Sequence, residues 1–126
     1  MKYKKFNKNP RHAAGDCVVR ALSLASGKTW SEVYEDLCHL GKDMYYMPDD
    51  KEVYEVWLAN NGFIKYKQPR KQDNRKYKVF ELVDILCIKN AVISLSGHMT
   101  VVEDGTLYDT WDCSYLIVGN YWIKEN

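Results

Sequence analysis

The sequence predicts an α+β domain, with a helical N-terminal half and a mostly antiparallel sheet in the second half. Two observations carry this. From Asp16 to about residue 62, apolar residues recur at helical spacing between recognisable capping residues. From Ala91 onward the chain turns to short runs rich in Val, Ile, Tyr and Trp, two of them joined by Asp104-Gly105, a strong hairpin signal. The composition suits such a fold. A chain of 126 residues makes one domain, and 46% hydrophobic with 13% aromatic residues supplies a core and excludes a disordered chain.

The first helix is expected to begin at Cys17, after Gly15 and with Asp16 as N-cap. Val18, Ala21, Leu22 and Ala25 line one side and Gly27 ends it. The second has a capping box, Thr29 with Glu32 three residues on; Val33, Leu37 and Leu40 form its stripe, and Gly41 is expected to stop it. The third starts at Pro48-Asp49-Asp50, carries Val53, Val56 and Trp57, and stops at Asn60-Asn61-Gly62. Phe63–Tyr66 reads as a short strand, 67–78 as a polar exposed loop and 79–87 as a short helix. Strands are expected at Ala91–Leu95, His98–Glu103, 107–112 and 115–123.

Charge is balanced overall, 18 Lys+Arg against 17 Asp+Glu, but it is segregated. Residues 1–12 form a basic N-terminal segment with Lys2, Lys4, Lys5, Lys8 and Arg11 and no acid. Residues 65–78 hold seven basic side chains against Asp73, whereas 29–62 hold eight acids and two lysines. Basic stretches with Tyr66 and Tyr77 can serve single-stranded nucleic acid. A solvated loop and tail account for them more simply, so nucleic acid is not the expected partner. The N-terminus lacks the apolar run of a signal peptide, and no run is long enough for a membrane span, so no membrane partner is expected. Cys17, Cys38, Cys87 and Cys113 show no short-spaced pairing, which points to reduced thiols in a cytoplasm and away from a zinc site. The glycines are scattered and make no phosphate loop; no cofactor and no metal are expected. Cys38 and Cys87 fall in apolar helical patterns and read as core, Cys113 as a strand end, and His39 as a residue of a helix terminus.

Three residues form a candidate catalytic set. Cys17 stands at a helix N-terminus, where free N–H groups and the macrodipole favour a thiolate. His98 opens a strand after Ser96-Gly97 and is the candidate base. Asp109 and Asp112 lie on the next strand, where either can orient the imidazole. A two-residue turn at Asp104-Gly105 pairs Glu103 with Thr106 and so on along the ladder. His98, Thr100 and Asp109 then share a face, Asp109 is the diagonal neighbour of His98, and Asp112 points away. A three-residue loop would instead select Asp112.

Cys at the head of an N-terminal helix, His starting a later strand and Asp on the next resembles the papain-like cysteine peptidase superfamily. Gly15-Asp16-Cys17 and Gly97-His98-Met99-Thr100-Val101-Val102 look most like its small bacterial and phage members, near the peptidases that trim double-glycine leaders. The resemblance implies one papain-like domain over 1–126, with N-terminal helices packed on a mostly antiparallel C-terminal sheet. It implies a thiol hydrolase in which Cys17 is nucleophile, His98 base and Asp109 the orienting residue. The substrate would be a peptide or protein, in the cytoplasm of a bacterium or a phage-infected host. One departure stands out: the Gln that such peptidases place six residues before the Cys is Arg11 here, leaving Asn7, Asn9 or Arg11 as candidates for the second oxyanion donor. Two other functions fit the same residues: a non-catalytic protein-binding module on this fold, or a single-stranded nucleic-acid binder using the basic stretches.

Overall fold

A computed structural model describes residues 1–12 and 15–125. The elements are β1 (Lys2–Lys5), α1 (Cys17–Ser26), α2 (Trp30–Met44), α3 (Lys51–Asn60), β2 (Phe63–Tyr66), α4 (Val79–Asp84), β3 (Ala91–Leu95), β4 (His98–Glu103), β5 (Thr106–Asp109) and β6 (Tyr121–Lys124). The fold is α+β, as the sequence predicts. The sheet has six strands in the order β1-β5-β4-β3-β6-β2, antiparallel throughout except where β1 runs parallel to β5. It is not confined to the second half of the chain, because edge strand β1 comes from the start of the chain and the other edge strand, β2, from its midpoint.

Side-chain alternation along the strands gives the sheet two covered faces. Val92, Met99, Val101 and Trp122 pack with Val19, Leu22, Leu37, Val53 and Trp57 of α1 to α3. Their neighbours Ile93, Val102, Leu107 and Tyr121 pack on the other side with Val79 and Leu82 of α4, closed by Cys113 and Val118. Asp104 and Gly105 both take positive φ, 50° and 77°, as a two-residue mirror-type turn requires. The ladder runs Glu103 to Thr106, Val102 to Leu107 and Val101 to Tyr108. This is the register that a two-residue turn dictates.

Several elements differ from expectation, each for a local reason. The basic N-terminal segment is not all tail: Lys2–Lys5 is an edge strand, and exposed lysines on such a strand discourage pairing with other chains. Gly41 does not stop α2. It is buried in the helix, and a Cβ there would lie 2.7 Å from the Tyr46 carbonyl oxygen. The helix ends instead at Met44, with Tyr45 left-handed (φ 63°) and the Tyr46 N–H donating to the Gly41 carbonyl at 2.9 Å. His39 therefore lies inside the helix rather than at its terminus.

Strand β5 ends at Asp109, not 112, because the Thr110 N–H that would continue it donates to Asp109 Oδ1 at 2.7 Å. Segment 113–118 does not join the sheet. Its backbone pairs with the start of α4, through Val79 N–H to Leu116 O at 3.0 Å and Phe80 N–H to Ser114 O at 2.9 Å, and its side chains cover the sheet. Helix α4 stops at Asp84, and Cys87 is exposed in a left-handed conformation rather than core. Residues 67–78 are largely exposed, yet ordered by an Arg70–Lys76 bridge and by Gln68, which hydrogen-bonds Asn120 and Val118. Among the described residues, no helix is long and apolar enough to cross a membrane.

Gly41 makes the α2–α3 connection testable. Gly41→Ala should lower the thermal midpoint, because strain of about 1–3 kcal/mol against the Tyr46 carbonyl exceeds the gain in helix propensity of up to ~1 kcal/mol. A midpoint equal to or above wild type would mean that this turn is not held against the helix.

Candidate active site

Cys17 is the first residue of α1, and the first-turn N–H groups of a helix have no carbonyl four residues back to accept them. His98 is the first residue of β4 and Asp109 the last of β5, so all three meet at one end of the sheet. His98 Nε2 lies 2.7 Å from Asp109 Oδ2, the contact the hairpin register predicts. His98 and the Cys17 thiol stabilise each other's charged forms. Asp112 stays exposed and bonds the Ser114 N–H at 3.0 Å.

Asp109 is 1% exposed and organises everything around it. Oδ2 accepts from His98 and from the Cys113 thiol at 3.5 Å; Oδ1 accepts from Thr110 N–H and from Arg20 Nη2 at 3.1 Å. Arg20 is itself buried, and its Nη1 donates to Asp16 Oδ1 at 2.5 Å. A guanidinium out of water is tolerable only with such charged partners. Asp16 is therefore not a side-chain N-cap: Arg20 draws the carboxylate one turn along the helix, and Oδ2 accepts from Trp30 Nε1 at 2.8 Å and Asn9 Nδ2 at 3.3 Å. These donors also compensate a negative charge that would otherwise oppose a thiolate next door.

The electrostatics favour an ion pair. Burial pushes the Cys17 thiol up, but hydrogen bonds from His98 and from the Met99 backbone, with the charges of His98 and Arg20, outweigh it and hold the thiol below its usual value. The bond to Asp109, and those to Cys113 and Cys17, push His98 up to about 11. Burial works against ionisation of Asp109, but its bonds to His98 and the Thr110 N–H and the charge of His98 hold it down at about 2. The indole of Trp111 lies 5.4 Å from the imidazole, centroid to centroid, and covers it.

Two clefts meet at Cys17. One, of about 300 Å³, lies between the α1 N-terminus, α2 and the α2–α3 turn; the other, of about 320 Å³, is lined by His98, Gly97, Leu95, Tyr54 and Lys51. Of the candidates for a second oxyanion donor, Asn9 donates to Asp16, and Arg11 is exposed with its N–H on Asn9 Oδ1. Asn7 is half-buried and accepts from the Asn9 N–H at 3.0 Å. Donor atoms of His98, Asp109 and Cys113 lie within 4.8 Å of one another. A cation there would have to displace the His98–Asp109 hydrogen bond and face the Arg20 guanidinium, so the cluster suits hydrogen bonding better than a metal.

The sequence reading missed Arg20 and Cys113. Arg20 interrupts the apolar run Val18-Val19 to Ala21-Leu22 and stands four residues from Asp16, a spacing that pairs charges along a helix. Cys113, read as a strand end, is fully buried against Asp109; nothing local marks it.

Stability should follow the His98–Asp109 pair. His98 is raised from 6.5, so its contribution is complete below pH 6.5 and is lost as pH rises toward 11. Asp109 is lowered from 3.8, so its contribution is complete above pH 3.8 and is lost as pH falls toward 2. Urea unfolding should give greatest stability between pH 3.8 and 6.5, and His98→Gln should flatten the alkaline decline. An unchanged alkaline slope in that variant would assign the decline to other groups. Arg20→Met should cost about 3–5 kcal/mol in the same measurement, since it strands two carboxylates; a loss under ~1 kcal/mol would show that Asp16 and Asp109 do not depend on it.

Comparison with known proteins finds no matching family model, no matching curated protein and no matching solved structure.

Proposed function

We propose that the protein is a thiol hydrolase of papain-like type, cleaving or transferring a peptide or amide acyl group through Cys17, His98 and Asp109. The observation that carries this is the buried Asp109 bonded to His98 at 2.7 Å, beside a thiol that His98 helps to hold below its usual pKa. The order of helix, strand and next strand supports the papain-like reading. Four free cysteines are compatible with a reducing cytoplasm as the place of action.

In this mechanism the Cys17 thiolate attacks the acyl carbon, forming the S–C bond and an oxyanion. The Cys17 N–H and the α1 N-terminus stabilise that oxyanion. His98, already protonated, gives its proton to the leaving nitrogen as the C–N bond breaks. Consuming the thiolate removes one of the interactions that hold the proton on His98, which eases the transfer. The now neutral imidazole takes a proton from water or from an acceptor amine, and that nucleophile displaces Cys17 from the thioester. Asp109 keeps the ring oriented and balances its charge in both steps.

Alkylation by limiting iodoacetamide tests the nucleophile. Cys17 should label first, ahead of Cys38 and Cys87, at near-neutral pH. His98→Ala should slow it about tenfold or more near pH 6.5, and Asp109→Asn should shift the profile toward alkaline pH. Preferential labelling of Cys38 or Cys87 would overturn the assignment.

A further inference from the structure

The geometry points to a substrate with a large apolar side chain, aromatic by preference, next to the scissile bond, held in the cleft between α1 and α2. This rests on the hydrolase reading and names the class of substrate. The cleft has about 300 Å³, opens at Cys17 itself, and is walled by Val18, Trp30, Tyr34, Leu37, Met47 and Pro48. That is room for one bulky side chain and its backbone.

Apart from Asp49, which is exposed, the charged groups around the cleft are already engaged. Trp30 Nε1 donates to Asp16, and Asp16 also holds Arg20. A polar side chain entering here would lose water without gaining these partners. An apolar one gains contact with the stacked Trp30–Tyr34 pair, whose ring centroids are 5.2 Å apart.

The cleft is also preformed. The far wall, Met47-Pro48, is fixed where the turn approaches Gly41, and the Met47 N–H donates to Asp50 Oδ2 at 2.9 Å. Met47 nevertheless leaves 65% of its surface exposed, and Tyr34 45%. The fold does not use that apolar area, and it borders the nucleophile. Asp49 lines both clefts, and the second, across Cys17, adds Asp50 and Lys51 along with His98. Cys17 thus lies on the boundary between a mainly apolar cavity and a more highly charged one, and the two sides of a substrate are distinguishable.

Paired alkylating reagents decide the matter. N-benzyl-iodoacetamide against iodoacetamide places a ring on the leaving-group side. N-acetyl-phenylalanyl against N-acetyl-alanyl chloromethyl ketone places one on the acyl side. Each rate at Cys17 is divided by the reagent's rate with glutathione. In at least one pair the aromatic reagent should react about tenfold faster or more, with saturation, and Met47→Glu should lower that ratio about fivefold. Equal normalised rates in both pairs, or a ratio unaffected by Met47→Glu, would overturn the apolar-substrate proposal while leaving Cys17 a reactive thiol. A Cys17 no faster than Cys38 and Cys87 toward iodoacetamide would overturn the hydrolase reading, and this one with it.

Discussion

A carboxylate with 1% of its surface exposed, Asp109, is the constraint on which the site depends. An ion removed from water must collect partners, and here they come from both near and distant parts of the chain. Arg20 ties it to α1, His98 to β4, Cys113 to the segment that closes the second core, and the Thr110 N–H ends the strand. Its backbone carbonyl accepts from Phe6 at 2.8 Å, so the N-terminal region is anchored at the same residue. Fold and site are therefore coupled at one position.

The sheet explains why the three candidate residues lie at its end. Asp109 and His98 belong to the face covered by α4, by the register of β3, β4 and β5. Helix α1 packs against the opposite face, with Val19 and Leu22 in the other core. A side chain from the middle of α1 meets the interior of the sheet, but the first residue of the helix can meet the first residue of a strand at the rim. Placing Cys17 and His98 both at the first position of their elements satisfies that geometry. It also sets the thiol among first-turn N–H groups and beside open clefts.

The positive charges around the thiol have distinct tasks. His98 helps to hold the Cys17 thiol below its usual pKa and is the group that can carry a proton. Arg20 acts as a counter-charge for Asp16 and Asp109 and adds to the field at Cys17. With Arg20 holding one oxygen of Asp109, the other remains for His98 and Cys113. The carboxylate thus stays ionised and directional even though it is buried.

Local chemistry was legible in the sequence. The Thr29–Glu32 capping box, Gly27 as a helix stop and the Asp104-Gly105 turn act over a few residues, and their side chains state what they do. Side-chain alternation then carried the turn outward to the pairing of His98 with Asp109, because a hairpin's register is fixed by its loop length. Contacts made at a distance were not legible. Lys2–Lys5 reads as a charged tail because an edge strand needs only a backbone partner, and that partner, β5, is about a hundred residues away. Gly41 reads as a helix stop because its missing Cβ matters only when the Tyr46 carbonyl folds back against it. Arg20 and Cys113 look ordinary along the chain and acquire a purpose only when burial gathers them around one carboxylate. The sequence by itself settled which short segments become helices and hairpins, since propensity, capping and turn chemistry are local. The three-dimensional fold settled which charges share a buried site, since desolvation depends on everything that surrounds a group.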